Sequence, residues 1–326
     1  MKDFSQKLAV ITGGGSGMGR ELALALAAEG CALALCDVSE ADMAETARLA
    51  RERCPELAVS THVCDVSDEA AVLRLSDEVA SVHHTGYIHL LFNNAGIGGG
   101  GSLFTDSREE WDRTFGVCWG GVYHCTRAFL PMLERASEAH IVNTSSINGF
   151  WASLGRRTPH TAYSAAKFAV KGFSEALLTD LAVNAPHIAV SVVMPGHVGT
   201  GIVANTGKAH GREPEQLTAE DLRAIRERLL ERGLPVDNLG DEQIREWVAR
   251  RVEEFRTRAP TSAAEAAGII LDGVRDGRWR ILVGDDAHAI DEAVRADPES
   301  AYSVQFLDRL MQAGHFQGLF GGSAPR

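Results

Sequence analysis

KLAVITGGGSGMGRELALALAAEG, residues 7–30, begins as an apolar, β-branched run ending at Thr12, turns through glycines, and continues as a helix that stops at Gly30. The same rhythm repeats downstream. CALALCD (31–37) reads as a strand, EADMAETARLARERC (40–54) as a helix, LAVSTHVCD (57–65) as a strand, EAAVLRLSDEVASVHH (69–84) as a helix and IHLLFNNAG (88–96) as a strand. Strands separated by helices of this length form βαβ units, and such units build a parallel sheet. Further along come a long helix through residues 111–133, the strand HIVNTSS (140–146), a helix from residue 162 and the strand IAVSVVMPG (188–196). A helix capped by a Ser262/Glu265 capping box then leads into RWRILVG (278–284). The expected fold is therefore α/β: a doubly wound, seven-stranded parallel sheet, with every strand buried by composition.

Between Ala204 and Pro260 the alternation stops. The segment is charged and carries two amphipathic helices, one presenting Leu222, Ile225 and Leu229, the other Ile244, Trp247, Val248 and Phe255. It far exceeds the usual connection of about 4 to 6 residues. We expect residues 1–203 and 261–285 to form the core domain, 204–260 an inserted helical lid, and 286–326 a C-terminal extension with one helix near AYSVQFLDRLM and a loose GGSAPR end.

The chain has 326 residues, 45% of them apolar, and a formal net charge of −12. That balance argues against a nucleic-acid backbone as partner. The six cysteines all fall in the first 125 residues without CxxC or metal-like spacing, so they read as reduced core thiols and no metal is expected. No cleavable signal precedes the first strand, and no apolar run approaches about 20 residues. A cytoplasmic protein without a membrane partner is the expectation. His83 and His84 end a helix, where a cation suits the dipole, while Asp285, Asp286 and His288 read as a polar turn.

Chemistry enters with Tyr163 and Lys167, four apart in AYSAAKFAVKGFSEAL (162–177). On a helix this spacing puts both side chains on one face. A nearby ammonium favours phenolate over phenol, so a tyrosine with an ordinary pKa near ~10 can be drawn toward working pH as a general acid or base. Lys171, a turn further on, reads as a surface lysine. Thr12, Gly13, Gly17 and Gly19 spell TGxxxGxG at a strand-to-helix junction, where glycines let the backbone approach a pyrophosphate at the positive pole of the helix. Asp37 ends the second strand, placed to accept from ribose hydroxyls and to repel a 2′-phosphate, which favours NAD over NADP. The nearest cation, Arg20, reads as an exposed helix residue. Asp65 in VCDVSD ends the third strand and is expected to cap the next helix, to reach the adenine, or both. NNAG (93–96) ends the fourth strand on the same edge.

TGxxxGxG, NNAG, a serine after the fifth strand and YxxxK, in this order, resemble the short-chain dehydrogenase/reductase family over residues 5–203 and 261–285. The resemblance implies a Rossmann fold and an NAD(P)-dependent oxidoreductase with a Ser-Tyr-Lys site: Ser146, Tyr163 and Lys167, with Ser145 as the alternative serine. Ser146 and Tyr163 stand seventeen residues apart, a longer gap than is usual in the family. Cofactor contacts are implied from Thr12, Gly13, Gly15, Ser16, Gly17, Met18 and Gly19 at the first turn, and from Asp37, Asp65 and Val66 around the adenosine. Asn93, Ala95 and Gly96 follow the fourth strand, and Tyr163 and Lys167 are implied to touch the ribose and nicotinamide. PGHVGT resembles the family's PGxVxT segment and nominates Pro195, Gly196, Val198 and Thr200, where Thr200 also reads as a helix N-cap. In a VNxxG context the family's asparagine is replaced by Cys118. A homotetramer or homodimer through the helices around Trp119 and Tyr163 is likewise implied.

The reading that joins these signals is an NAD-dependent enzyme interconverting a secondary alcohol and a ketone by hydride transfer. Its substrate would be a small molecule, bulky and apolar if Leu229, Trp247, Phe255, Phe150, Trp151 and Leu154 line a pocket rather than pack the inserted helices onto the core. Open alternatives are a non-catalytic NAD-binding regulator and an NADP-dependent carbonyl reductase. Epimerase or dehydratase chemistry fits the glycine spacing poorly.

Overall fold

The computed structural model describes residues 1–155, 158–231, 236 and 239–314. The GGSAPR end lies outside the described residues. The first turn of the chain forms as its sequence dictates: β1 (Leu8–Thr12) runs into α1 (Gly17–Ala28), then β2 (Ala32–Asp37), α2 (Glu40–Arg53), β3 (Val59–Val63), α3 (Glu69–Val82) and β4 (Leu90–Asn93). After β4 come α4 (Arg108–Phe115), α5 (Gly121–Glu134), β5 (Ala139–Thr144), α6 (Thr161–Asn184) and β6 (Ile188–Pro195). The remaining elements are β7 (Val198–Gly199), α7 (Ile202–Ala209), α8 (Ala219–Glu231), α9 (Asp241–Thr257), β8 (Thr261–Ser262), α10 (Ala263–Arg275), β9 (Arg280–Val283), α11 (Asp285–Ala296) and α12 (Val304–Gln312).

Seven strands form one parallel sheet in the order β3-β2-β1-β4-β5-β6-β9. The order reverses between β1 and β4, which opens a crevice at the carboxyl ends of the strands, where ligands bind in such sheets. Two apolar layers cover the sheet. One joins α1, α2 and α10 to it, with Leu22, Leu26 and Ile270 fully packed; the other joins α3, α5 and α6, with Val79, Phe129 and Leu181. The outermost strand β3 departs from the expectation that all strands are buried. Val63 is 64% exposed, because β3 has a neighbour on one side only.

The expected long helix exists, but a π-helical turn at Gly116–Gly120 interrupts it and joins α4 to α5. Cys118 lies inside that turn, and its thiol donates to the carbonyl of Ile97 at 3.1 Å. All six cysteines are free. His83 caps α3 but is no dipole-compensating cation: burial, then its histidine neighbours, hold its pKa below the usual value, and its Nε2 meets Ser60 Oγ at 2.8 Å.

The excursion gathers its own small core of Leu217, Leu222, Leu229, Val236 and Ile244, with Ile225, Trp247 and Val248 packed against it. It contains α7 as well as the two expected helices. Its ends are stitched together where β7 pairs with β8, so the segment leaves and returns at one point on the sheet edge. Beyond β9 the chain forms two helices rather than one. Asp285 and Asp286 open α11 instead of forming a free turn, and α11 and α12 enclose Ile147, Trp151, Ala301 and Phe306. Among the described residues, no helix is long and apolar enough to cross a membrane, and no group of three His, Cys, Asp or Glu side chains is arranged to hold a metal ion.

Candidate active site

A cavity of about 620 Å3 occupies the crevice above β1 and β4. Its floor is the glycine turn. Gly13 has φ +66, which favours glycine, and its bare Cα lets the Ala95 backbone approach; a Cβ on Gly19 would run into the carbonyl oxygen of Gly13, so α1 approaches the turn after β1 only because Gly19 lacks a side chain. Gly13, Ser16, Gly17 and Met18 line the cavity. Thr12 does not; its hydroxyl accepts from the N–H groups of Asn94 and Ala95 at 3.0 Å each and clamps the end of β4 to the glycine turn. Arg20, far from being a free surface group, donates through Nε and Nη2 to the Gly15 carbonyl and through Nε to Thr46 Oγ1, locking the turn onto α2.

At one end of the cavity the Asp37 carboxylate accepts the Gly15 N–H at 3.0 Å and the Ser39 N–H at 3.1 Å, fixed at the tip of β2. Asp65 and Val66 stand beside it. The cap of α3 is Asp68, which accepts from the Ala70 and Ala71 N–H groups, so Asp65 is not the capping residue its sequence position suggested. Asp65 instead accepts from Ser67 and pairs with Arg113 of α4; burial opposes its ionisation, but Ser67 and Arg113 together hold the carboxyl below its usual value. Asn93 is also placed differently from its expectation. Its amide lies under the sheet, donating to Asn143 Oδ1 at 2.8 Å and Thr126 Oγ1 at 3.0 Å, and Asn94, Ala95 and Gly96 take the cavity wall.

At the other end Tyr163, Lys167 and Ser146 converge. Lys167 is 2% exposed; its Nζ donates to the Thr144 carbonyl at 2.9 Å and lies 5.3 Å from the Tyr163 ring centroid. Burial pushes the phenol of Tyr163 above its ordinary value, the Cys118 thiol adds to this, and a hydrogen bond from Ser146 acts in the opposite direction. The protein alone therefore does not acidify the tyrosine, contrary to the simplest reading of the Tyr–Lys pair. Burial likewise lowers the pKa of Lys167. The two serines separate clearly. Ser145 Oγ donates to the Lys167 carbonyl at 2.7 Å, whereas Ser146 opens a 3-10 turn, accepts from the Asn148 N–H and faces the phenol.

Pro195, Gly196, Val198 and Thr200 also line the cavity. Thr200 packs over Gly17, and the cap position of α7 is Gly201, one residue beyond the expected threonine. This loop is held from behind by groups that no motif announced. The buried Asp286 carboxylate accepts the His197 N–H at 2.7 Å, and His197 Nε2 donates to the Phe255 carbonyl at 2.7 Å. A Cβ on Gly196 would strike Asp286. From the excursion, Asn205 donates to Ser16 Oγ at 3.2 Å, Thr206 Oγ1 accepts the Gly98 N–H at 2.7 Å, and His210 Nε2 meets the Gly98 carbonyl at 3.0 Å. Of the apolar side chains expected to line a pocket, only Phe255 and Leu154 do so. Trp151 is fully buried, its Nε1 donating to the Ala301 carbonyl at 2.8 Å, Phe150 packs beside it, and Leu229 and Trp247 belong to the core of the excursion.

The family model described as short chain dehydrogenase matches residues 7–211. The chain belongs to the short-chain dehydrogenase/reductase family. A Mycobacterium tuberculosis protein named as an oxidoreductase, SadH, is 35% identical over 314 residues, covering 96% of this chain and 97% of that one. A Burkholderia phymatum short-chain dehydrogenase/reductase solved in complex with NAD superposes with a TM-score of 0.70 at 33% identity, covering 92% of this chain and 95% of that one. A metagenomic short-chain oxidoreductase in complex with NADP gives 0.52 at 29% identity, covering 59% and 83%. This family member is thus an NAD(P)-dependent oxidoreductase acting on a small molecule, and its parallel sheet is the Rossmann architecture of its relatives.

Proposed function

We propose that the chain interconverts a secondary alcohol and a ketone with NAD, using Tyr163 as proton acceptor, Ser146 to orient the reacting oxygen and Lys167 to favour the phenolate and hold the nicotinamide ribose. The observation that carries this reading is the convergence of Ser146, Tyr163 and Lys167 on one wall of the cavity that the glycine turn also lines. The residues present fit a dinucleotide. Glycines that a Cβ would fill lie under the pyrophosphate position, Asp37 stands at the adenosine end, and Asp65 and Val66 flank it. When bound, the oxidised dinucleotide supplies the hydride acceptor and a positive charge. Burial leaves Tyr163 protonated in the protein alone, so its acidification belongs to the loaded site, where cationic neighbours favour phenolate. Ser146 then donates to the substrate oxygen while Tyr163 takes its proton.

The preference for NAD rests on Asp37, whose carboxylate would meet a 2′-phosphate with like charge, and on Arg20, whose guanidinium is already committed to Gly15 and Thr46. Residues 204–260 serve in this reading as a cover, since α7 bridges Ser16 and Gly98 across the mouth. Residues 1–203 with 261–285 act as the catalytic domain. The reading also assigns a homo-oligomer through α5 and α6, supported by the aromatic cluster of the exposed Tyr123 with the part-buried Trp119 and Phe173. The experiment is an assay of the full chain with NAD and NADP against a panel of secondary alcohols and ketones, alongside Y163F. Turnover by the parent with NAD and its loss in Y163F are expected; equal turnover by both proteins ends the proposal.

A further inference from the structure

His160 is a group on the reactive wall that neither the YxxxK pattern nor the serine accounts for. It precedes α6, three residues before Tyr163, and its ring lies against the phenol ring with centroids 4.7 Å apart and planes inclined by 31°. It lines the cavity together with Tyr163, Ser146, Leu154 and Phe255. Its backbone carbonyl accepts the Ser164 N–H and is spent on the helix, which leaves the ring to face the cavity. Burial lowers its pKa to about 4, so the ring is uncharged at ordinary pH. The residue is part-buried beside the cavity, and a substrate that displaces water from its ring must offer a hydrogen bond in return, because an imidazole nitrogen left unpaired is costly. Being uncharged, it does not select a carboxylate or a phosphate. It fits a carbonyl, to which its N–H donates, or a hydroxyl.

Position fixes which oxygen. With the substrate's reacting oxygen at the Tyr163 hydroxyl, an imidazole tilted against that ring would border the atoms next to the reacting carbon rather than the far end of the molecule. Resting on the reading of Ser146, Tyr163 and Lys167 given above, we propose that His160 is a specificity-determining residue that hydrogen-bonds a second oxygen on the carbon adjacent to the reacting one. The substrate class is then the uncharged vicinal diol, hydroxyketone or diketone with an apolar body, the body lying against Leu154 and Phe255.

The test uses the full chain with NADH and a matched pair of probes, 1-phenylpropane-1,2-dione and 1-phenylpropan-2-one, compared in the parent and in H160F. Phenylalanine keeps a ring against Tyr163 and removes both nitrogens. The change in the ratio of kcat/KM between the two proteins cancels the intrinsic electrophilicity of the dione. The expected result is a roughly tenfold fall in the dione-to-ketone ratio, the scale of one hydrogen bond, with the simple ketone changed less than about twofold. H160Q, which restores an N–H, should recover part of it. An unchanged ratio, or a parallel fall for both probes, overturns the proposal and leaves His160 a packing residue or the seat of a water. If H160F does not fold, judged by loss of NADH binding, H160L is read in its place. A parent that binds NADH but turns over neither probe, nor any alcohol of the wider panel, refutes the oxidoreductase reading itself and removes the ground for this one.

Discussion

The two halves of the cavity are built by different means. At the adenosine end, most of the fixing contacts come from the first 113 residues: Thr12 to Asn94 and Ala95, Asp37 to Gly15, Arg20 to Gly15 and Thr46, and Arg113 to Asp65, with His124 on the Val66 carbonyl and Asn205 on Ser16 added from later in the chain. At the reactive end, the holding groups arrive from far along the chain. Trp151 is tied to Ala301, His197 to Asp286 and Phe255, and Gly98 to Thr206 and His210. The contrast has a physical basis. A pyrophosphate and a ribose need backbone amides and one carboxylate, which successive βα turns supply locally. A substrate pocket needs a shaped, water-excluding wall, and this chain makes it from segments outside the βα repeat.

Tyr163 gives the largest effect that could break the comparison. Y163F should lower kcat by roughly 10²- to 10⁴-fold, the usual range for a lost general base, while NADH affinity measured by fluorescence titration stays close to the parent's. An equal loss of binding would mean that the two ends are not separable. Oxidation by the parent should also rise with pH, because burial raises the phenol's pKa and the reactive form is the phenolate. A pH profile that falls from neutral toward alkaline values, in a range where the fold is intact, contradicts that role.

His140, near the amino end of β5 and away from the cavity, sets a stability test beside the comparison. Ser191 Oγ donates to the Arg278 carbonyl, so His140 Nε2 must donate to Ser191, which leaves Nδ1 as a bare, buried acceptor. Burial lowers its pKa to about 4. The unfolded chain, with a histidine pKa near ~6.5, then binds more protons between pH 6.5 and 4, so stability falls as pH falls through that window. The full difference is about 3 kcal/mol, fully lost below pH 4. Replacing His140 by Gln should flatten this dependence in denaturant titrations at pH 7, 6 and 5; the same acid slope in both proteins would show that His140 is not where the proton enters.

Removing the support behind the PGHVGT loop should cost less and act only at the reactive end. D286N keeps the shape but weakens the charge-assisted bond to the His197 N–H, and an increase of roughly ten- to thirtyfold in KM for NAD is expected, with little change in selectivity against NADP. The smallest change is assigned to D37N, which should narrow the NAD-to-NADP ratio of kcat/KM by about tenfold and leave kcat with NAD nearly unaltered. Were D286N to alter NADP selectivity, or D37N to alter kcat, the division of labour between the ends would fail.

Short-range rules carried the sequence far. Runs of β-branched and apolar residues, alternating with helices, determined the parallel sheet and its doubly wound order, because strand and helix periods are written within a few residues. TGxxxGxG, Asp37 and the Tyr163–Lys167 spacing were legible for the same reason: each is a local geometric requirement of a turn or one helix face. Asn93 was misplaced because a strand-end residue can turn either under the sheet or over it, and only the neighbouring strands settle which; of the two roles open to Asp65 the helix cap falls to Asp68, while Asp65 lines the cavity. His160 left a faint signal, three residues before Tyr163, but the same spacing serves equally for packing.

Tertiary structure alone decided the rest. Nothing in the period around Trp151 announces that a carbonyl at Ala301 awaits it, nor does DDAHAI reveal that its second aspartate reaches back to the loop after β6. These contacts join elements with no common repeat, so their partners are set by how α9, α11 and α12 pack once the sheet exists. The sequence determined the sheet, the glycine turn and the tyrosine–lysine pair through local sterics and helical spacing; the shape of the reactive wall was left to long-range packing, which no local pattern encodes.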